Sequence, residues 1–218
     1  MKYQAFIFDM NGTMIDDMHY HIIAWYSIFY KYKAQITIEE TKLKVYGKAE
    51  EMFERVFGKG KFSDAEIQQI ILEKEMKYQE DFRPYLMVID GLEPFLISAK
   101  EAGIKLAIGT AALKSNVDYV LDGLGLRKYF DAIVSAEDIN NSKPDPEVFL
   151  KCAALLNVSP HRSIVFEDSP HGIEAALNGG FKAVAITSLH EKKDFARFED
   201  LLFLINDYLS SKVYSLFT

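Results

Sequence analysis

From residue 87 onward, short apolar runs alternate with segments in which apolar residues recur at helical spacing. We predict four strands in this region, at residues 105–109, 132–135, 163–166 and 183–187. The helices predicted around them cover residues 92–102, 115–124, 146–156 and 172–178. Strands that alternate with helices are typical of βαβ units, and they predict an α/β fold with a parallel sheet. Residues 208–218 are interpreted as the end of a last helix and a frayed tail.

Residues 16–86 have a different character, because helical periodicity dominates there and strand-like runs are few. The pattern restarts after Ser63, a predicted N-cap with Glu66 three residues later. The segment predicts an all-helical insert of about four helices. We therefore expect two domains, a core formed by residues 1–15 and 87–218 and a helical domain formed by residues 16–86.

The first apolar run, residues 5–8, ends at Asp9, and the pair Asn11-Gly12 follows closely. A short run of this kind is typical of a strand that is buried on both faces of a sheet. The Asn-Gly pair breaks the extended chain where unusual backbone dihedrals are needed. Asp9 is therefore predicted at the carboxyl end of a strand, the edge where open α/β sheets bind ligands. An aspartate there can be a metal ligand, a nucleophile or the cap of the next helix.

Polar residues also form three clusters later in the chain. They are Thr110 after Gly109, Lys143 followed by Pro144-Asp145-Pro146, and the run Glu167-Asp168-Ser169. Together with the first run, the clusters resemble the four motifs of the haloacid dehalogenase superfamily: Asp-x-Asp-Gly-Thr, a Ser or Thr after a strand, a Lys often followed by Pro, and an acidic pair after a strand. Segments 143–146 and 167–176 are most similar to its β-phosphoglucomutase-like branch. The resemblance implies a Rossmann-like, doubly wound parallel sheet with a helical cap inserted between the first two motifs.

The resemblance also implies a role for each motif in phosphoryl transfer. Asp9 would be the nucleophile that forms an aspartyl-phosphate. Mg²⁺ would be held by Asp9, the backbone carbonyl of Asn11 and Asp168, with Glu167 acting through a bound water. Lys143 would neutralise charge beside Asp9 and the phosphoryl oxygens. The residues alone leave alternatives open, since Glu167 and Asp168 can also be an N-cap pair and Lys143 a solvated loop lysine.

Further residues are candidates for binding the substrate. Thr110 would bind the phosphoryl group with its hydroxyl and, as a catalytic residue, help to stabilise the equatorial charge. The amides of Ala111 and Ala112 would point toward an anion from a predicted helix start, although a threonine after a strand is also a common helix cap. His21 matches in position a hinge-region histidine of β-phosphoglucomutase-like proteins, and its alternative is a structural role. Lys48 stands where the sugar mutases carry a phosphate-binding arginine.

Asn11 departs from the family pattern, which has a second aspartate there that usually shuttles a proton. An amide cannot supply this proton transfer, and general acid–base catalysis contributes roughly 10² to 10⁴ in rate. The substitution predicts slow turnover of alkyl phosphates and a smaller loss with acyl or aryl phosphates. Other interpretations stay open: His19 or His21 supplies the proton, the protein binds phosphate without turnover, or Asn11 deamidates at its bond to Gly12.

Composition limits the partners and the compartment. The net charge of −7, without a block of Lys or Arg, counts against nucleic acid or an anionic membrane as a partner. The single cysteine, Cys152, excludes an intrachain disulfide. The N-terminal apolar run is too short for a signal peptide, and no apolar stretch is long enough to span a bilayer. We expect a cytoplasmic monomer.

The leading hypothesis is a Mg²⁺-dependent phosphatase of a small phosphorylated metabolite, acting by double displacement through Asp9. A sugar phosphomutase is the alternative within the same class of chemistry. A non-catalytic phosphate-binding protein is the alternative from a different class. A dehalogenase would attack carbon and need no metal, and Glu167 and Asp168 argue against it.

Overall fold

The computed structural model describes residues 3–47 and 49–217 of the 218-residue chain. The chain divides into two compact units. Residues up to Asp16 and from Leu86 onward form the core unit, and Asp17–Tyr85 form the helical unit. Among the described residues, no helix is both long and apolar enough to cross a membrane.

A six-stranded parallel sheet organises the core unit. Its strands are β1 (Ala5–Phe8), β2 (Lys105–Gly109), β3 (Ala132–Val134), β4 (Ser163–Glu167), β5 (Lys182–Ile186) and β6 (Leu201–Ile205). In the sheet they are ordered β3-β2-β1-β4-β5-β6. The chain extends the sheet from β1 in one direction and from β4 in the other, so the strand order reverses between β1 and β4. Open α/β sheets bind their ligands at the carboxyl ends of the strands beside such a reversal.

The first four α-helices lie in the helical unit and the later ones in the core unit. They are α1 (Met18–Lys31), α2 (Ile38–Lys44), α3 (Ala49–Phe57), α4 (Asp64–Phe82), α5 (Leu92–Glu101), α6 (Lys114–Gly123), α7 (Glu147–Leu156), α8 (Pro170–Asn178) and α9 (Ser211–Tyr214). Both α2 and α4 begin with a capping box, in which an N-cap hydroxyl and a glutamate three residues later satisfy backbone amides. The box of Ser63 and Glu66 confirms the helix start predicted from the sequence.

Apolar side chains cover both faces of β1, whose four residues are all buried. On one face, the rings of Phe8 and Phe166 stack with their centroids 4.7 Å apart. On the other face, Ala5 and Ile7 belong to an apolar cluster that includes Phe149 of α7. Burial on both faces explains why this strand is an uninterrupted apolar run. The buried run ends at Phe8, so Asp9 is the first residue beyond the strand.

The predicted strands and helices of the core unit are present up to β5, with ends shifted by at most two residues. Beyond β5, the structure contains one strand that was not predicted, and it corrects the interpretation of residues 208–218. Leu201–Ile205 forms the edge strand β6, which the pattern of alternating elements does not predict, because only the 3₁₀ turn Lys192–Phe195 separates it from β5. Tyr208 lies in a turn, and the C-terminal helix is limited to α9. The 3₁₀ turn Ser215–Phe217, in which Leu216 is buried, stands where a frayed tail was expected.

Candidate active site

Three buried carboxylates meet at the carboxyl ends of β1 and β4. Asp9 follows β1, Glu167 is the last residue of β4, and Asp168 comes next. The strands pair with Phe8 opposite Phe166, and the Asp9 amide donates a hydrogen bond to the Phe166 carbonyl (N···O 2.9 Å). One carboxylate oxygen of each acidic residue lies within 4.8 Å of those of the other two. Because the side chains are buried, solvent screens their mutual repulsion only weakly.

Lys143 supplies a positive charge to this carboxylate cluster. Its Nζ lies 2.7 Å from Asp9 Oδ1 and 2.7 Å from Glu167 Oε1. Burial disfavours the ammonium, but the two neighbouring carboxylates outweigh this effect and raise the pKa of Lys143. Three carboxylates and one ammonium leave an excess of negative charge in the cluster. Carboxylate oxygens are ligands that Mg²⁺ prefers, so the donor set fits this ion.

The beginning of α8 holds Glu167 in place. The Ser169 amide donates to Glu167 Oε2 (2.6 Å), and Ser169 Oγ accepts from the Gly172 amide (3.0 Å). Ser169 is therefore the N-cap, and the interpretation of Glu167 and Asp168 as the capping pair is wrong. A Cβ on Gly172 would lie 1.8 Å from Glu167 Oε1. The glutamate carboxylate thus occupies space that any side chain at position 172 would need.

The loop that carries Lys143 is tied to the first turn of α7. Glu147 accepts hydrogen bonds from the amides of Asn140 (3.0 Å) and Asn141 (2.8 Å), and its carboxylate pairs with Lys151 (2.7 Å). These contacts lower the pKa of Glu147 to about 2, and the contact with Lys151 contributes most. The Lys143 side chain is only 10% exposed, so its interpretation as a solvated loop lysine is wrong.

Thr110 follows β2 as predicted, but Ala111 and Ala112 lie before the next helix and not at its start. The Ala112 amide donates to Thr110 Oγ1 (3.1 Å), and α6 begins only at Lys114. The prediction that the amides of Ala111 and Ala112 lie at a helix start is therefore wrong. At the actual start, the Lys114 amide donates to the Glu137 carboxylate (3.0 Å). A carboxylate of the protein is therefore the anionic acceptor at this helix N-terminus.

The backbone after β1 turns through Asn11 and Gly12. Gly12 has φ +71°, a left-handed conformation that favours glycine, and this confirms the prediction of unusual dihedrals at the Asn-Gly pair. Ser188 Oγ donates to the Gly12 carbonyl (2.6 Å), and the Tyr208 hydroxyl donates to the Thr13 carbonyl (3.0 Å). Neither donor was predicted from the sequence. Ser188 is a polar residue directly after a predicted strand, and this position could have indicated its role. No sequence pattern indicates the role of Tyr208.

Tyr208 is a buried neighbour of the carboxylate cluster. Its ring contacts those of Phe8 and Phe166, with centroids 6.2 Å and 5.9 Å away. Burial first, and then the negative charges of Asp9 and Asp168, raise the pKa of Tyr208 well above its usual range. The phenol therefore keeps the proton that it donates to the backbone.

His21 lies in a buried polar cluster inside the helical unit. Its Nδ1 lies 2.6 Å from Lys74 Nζ, and its Nε2 lies 3.3 Å from Asp17 Oδ2. Its ring stacks on Tyr78 with the centroids 3.7 Å apart. Burial lowers the pKa of Lys74. Each imidazole nitrogen thus has a partner within the unit, which is the arrangement that the structural interpretation of His21 predicts.

His19 and Lys48 are the remaining candidates for proton transfer or substrate contact. His19 lies in the first turn of α1, where its ring contacts that of Tyr20 (centroids 6.1 Å apart). Lys48 falls outside the described residues, and its role stays a prediction. The role of the helical unit as a cap stays a prediction as well.

Comparisons with known proteins point to one family. A family model described as haloacid dehalogenase-like hydrolase matches residues 6–186. The β-phosphoglucomutase of Bacillus subtilis (strain 168) is 32% identical over 84% of this chain and 83% of its own. The fructose-1-phosphate phosphatase YqaB of Escherichia coli (strain K12) is 30% identical over 86% of this chain and 98% of its own. The solved structure of a β-phosphoglucomutase from Clostridium difficile matches with a TM-score of 0.85 and 26% identity, covering 99% of this chain and 97% of its own.

Proposed function

The chain belongs to the haloacid dehalogenase-like hydrolases, and from this premise we propose that it is a Mg²⁺-dependent phosphatase of a small phosphorylated metabolite. The observation that carries the proposal is the buried cluster in which Lys143 bridges Asp9 and Glu167, with Asp168 beside them. The substrate class is supported by a relative named for fructose 1-phosphate. The cluster lies where the strand order reverses, the usual ligand-binding edge of such a sheet.

Asp9 is the proposed nucleophile. One of its carboxylate oxygens bonds to phosphorus while the bond from phosphorus to the leaving oxygen breaks, which yields an aspartyl-phosphate. Water then attacks phosphorus, the bond between phosphorus and Asp9 breaks, and inorganic phosphate leaves. Lys143 orients the Asp9 carboxylate and offsets its repulsion of the phosphate dianion.

The metal site is proposed from the same residues. Asp9, Asp168 and the backbone carbonyl of Asn11 would hold Mg²⁺, and Glu167 would act through a bound water. When bound, the ion would neutralise charge on the phosphoryl oxygens. The Glu167 carboxylate already accepts hydrogen bonds from Lys143 and the Ser169 amide, which supports an indirect role for it.

Asn11 determines which leaving groups depart easily. An alkyl phosphate releases an alkoxide, which needs a proton that the Asn11 amide cannot supply. Aryl and acyl phosphates release weaker bases, so they depend less on an acid. We therefore propose that the protein hydrolyses aryl or acyl phosphates more readily than alkyl phosphates.

The test measures phosphate release from p-nitrophenyl phosphate and fructose 1-phosphate, with Mg²⁺ and with EDTA. We expect the wild-type protein to act on the aryl ester only with Mg²⁺. Asn11→Asp should raise kcat/KM on fructose 1-phosphate by up to roughly 10² to 10⁴ and on the aryl ester much less. Asp9→Asn should be inactive although folded. Mass spectrometry excludes protein in which Asn11 has already become aspartate. Turnover by folded Asp9→Asn, or hydrolysis with EDTA, contradicts the proposal.

A sugar phosphomutase is the second candidate, favoured by the similarity to the Bacillus subtilis β-phosphoglucomutase. Incubation with β-glucose 1-phosphate and a trace of the glucose bisphosphate distinguishes the two activities. A mutase forms glucose 6-phosphate faster than inorganic phosphate, whereas a phosphatase releases inorganic phosphate. A protein that only binds phosphate does neither, and Asn11→Asp does not make it active.

A further inference from the structure

Two side chains from the C-terminal part of the core unit hold the backbone next to Asn11. Ser188 Oγ donates to the Gly12 carbonyl (2.6 Å), and the Tyr208 hydroxyl donates to the Thr13 carbonyl (3.0 Å). The donors lie 176 and 195 residues further along the chain than their acceptors. Ser188 and Tyr208 together are named the loop clamp.

The Tyr208 side of the loop clamp is rigidly supported. Tyr208 is fully buried, and its ring stacks on Phe95 with centroids 5.5 Å apart. Its amide donates to the Asp90 carbonyl (2.9 Å). Gly91 permits this close approach, because a Cβ there would lie 2.7 Å from the Tyr208 carbonyl carbon. The hydroxyl is therefore presented to the loop by a fixed ring and a fixed backbone.

The loop depends on these backbone contacts. The Thr13 side chain is buried, and its Oγ1 has no hydrogen-bond partner among the described residues. The Met14 amide donates to the Met10 carbonyl (2.8 Å), which closes the turn at its ends. Between these ends, the loop clamp holds the carbonyls of the two residues that follow Asn11.

We propose that Ser188 and Tyr208 are positioning residues for phosphoryl transfer, because they immobilise the Asn11–Gly12 segment whose Asn11 carbonyl is a proposed Mg²⁺ ligand. The catalytic consequence rests on the proposed function. The mobility of the loop itself can be measured in a protein that has no substrate and no metal. Loss of one hydrogen bond of this kind shifts a local opening equilibrium by about two- to tenfold.

Deamidation at the Asn11–Gly12 bond reports the mobility of this loop. In this reaction, the Gly12 amide nitrogen bonds to the Asn11 side-chain carbonyl carbon and ammonia leaves. Water then opens the ring to aspartate or isoaspartate. Ring closure requires backbone rotation, so holding the adjacent carbonyls slows it. Asn178-Gly179, at the end of α8, is an internal reference, because global unfolding exposes both bonds whereas the loop clamp touches only the first.

The experiment compares Tyr208→Phe, Ser188→Ala and the double variant with two matched controls, Tyr214→Phe and Ser98→Ala. The Tyr214 ring also contacts Phe95 (centroids 6.0 Å apart), and Ser98 Oγ donates to a carbonyl within α5. Each metal-free protein is incubated well below its unfolding temperature. Peptide mapping then measures the deamidation rate at both Asn-Gly bonds.

We expect each loop-clamp variant to raise the rate at Asn11 by about two- to tenfold, and the double variant by more, with no change at Asn178. The Mg²⁺ concentration needed for half-maximal phosphate release should also rise in each single variant, and more in the double variant. Ser188→Thr keeps the hydroxyl, so its deamidation rate at Asn11 should match that of the wild-type protein. An unchanged Asn11 rate in the double variant, or equal rises at both bonds, overturns the inference. Failure of the wild-type protein to release phosphate contradicts only the proposed function, because the deamidation rate requires no turnover.

Discussion

Replacing Gly172 with alanine tests whether the first turn of α8 is built around the Glu167 carboxylate. An ideal Cβ on Gly172 would lie 1.8 Å from Glu167 Oε1, 1.9 Å from its Cδ and 2.5 Å from its Oε2. The same carboxylate accepts hydrogen bonds from Lys143 and from the Ser169 amide. An added methyl group therefore requires the Glu167 side chain to leave both partners.

Two opposing effects set the magnitude of this change. Alanine is favoured over glycine in a helix by about 1 kcal/mol, partly because it restricts the unfolded chain. Displacement of Glu167 removes two hydrogen bonds in which a charged group takes part, each contributing about 1.5–3 kcal/mol. The losses exceed the gain, so we expect Gly172→Ala to lower the free energy of unfolding by about 2–5 kcal/mol.

Urea unfolding followed by circular dichroism measures this loss in two backgrounds. In Glu167→Ala the clash is absent, so Gly172→Ala should be neutral or stabilise by up to about 1 kcal/mol. Gly123→Ala in α6 is the matched control. Its Cβ would meet only the flexible end of Leu86, at 2.8 Å, and we expect a change within about 1 kcal/mol. An equal loss from Gly172→Ala in both backgrounds would refute the reasoning.

Two further predictions concern the metal and the Lys143 loop. Asp168→Ala should weaken Mg²⁺ binding far more than Glu167→Ala, since only Asp168 is a proposed direct ligand; titration calorimetry of the metal-free proteins measures both, and equal affinities would contradict the assignment. Native contacts lower the pKa of Glu147 from 4.5 to about 2, so its ionised form stabilises the fold above pH 4.5, and this contribution is lost as the pH falls toward about 2. Glu147→Gln should reduce the loss of stability across that range in urea unfolding, and an unchanged pH profile would contradict the prediction.

The parallel sheet could be predicted because its signals are local. The apolar run of β1 reflects burial on both faces, and the capping box at Ser63 involves residues only three positions apart. The left-handed conformation of Gly12 likewise follows from the Asn-Gly pair itself. The alternation of strands and helices does not predict β6, because a 3₁₀ turn stands before this strand where the alternation requires a helix.

The contacts of the candidate site are not local, and the sequence predicts them less well. Lys143 meets Asp9 across 134 residues, and only the family resemblance suggested this pairing. The absence of a helix start at Ala111 and Ala112 has a different cause. The Thr110 hydroxyl accepts the Ala112 amide, and such side-chain bonds to nearby backbone compete with helix formation. The expectation of a helix start at Ala111 and Ala112 leaves out this competition, which depends on one polar atom.

The loop at Asn11 combines two properties, the position of its backbone and the chemistry of the side chain at position 11. The hydrogen bonds of the loop clamp go to the backbone carbonyls of Gly12 and Thr13, so they do not depend on whether residue 11 carries an amide or a carboxylate. The position of the backbone therefore survives an exchange of aspartate for asparagine, whereas a titratable proton does not. Under the proposed function, the sheet and the carboxylate cluster around Asp9 are kept while the range of leaving groups changes. In the proposed phosphatase, the fold determines where phosphorus is attacked, and residue 11 determines which oxygen can leave.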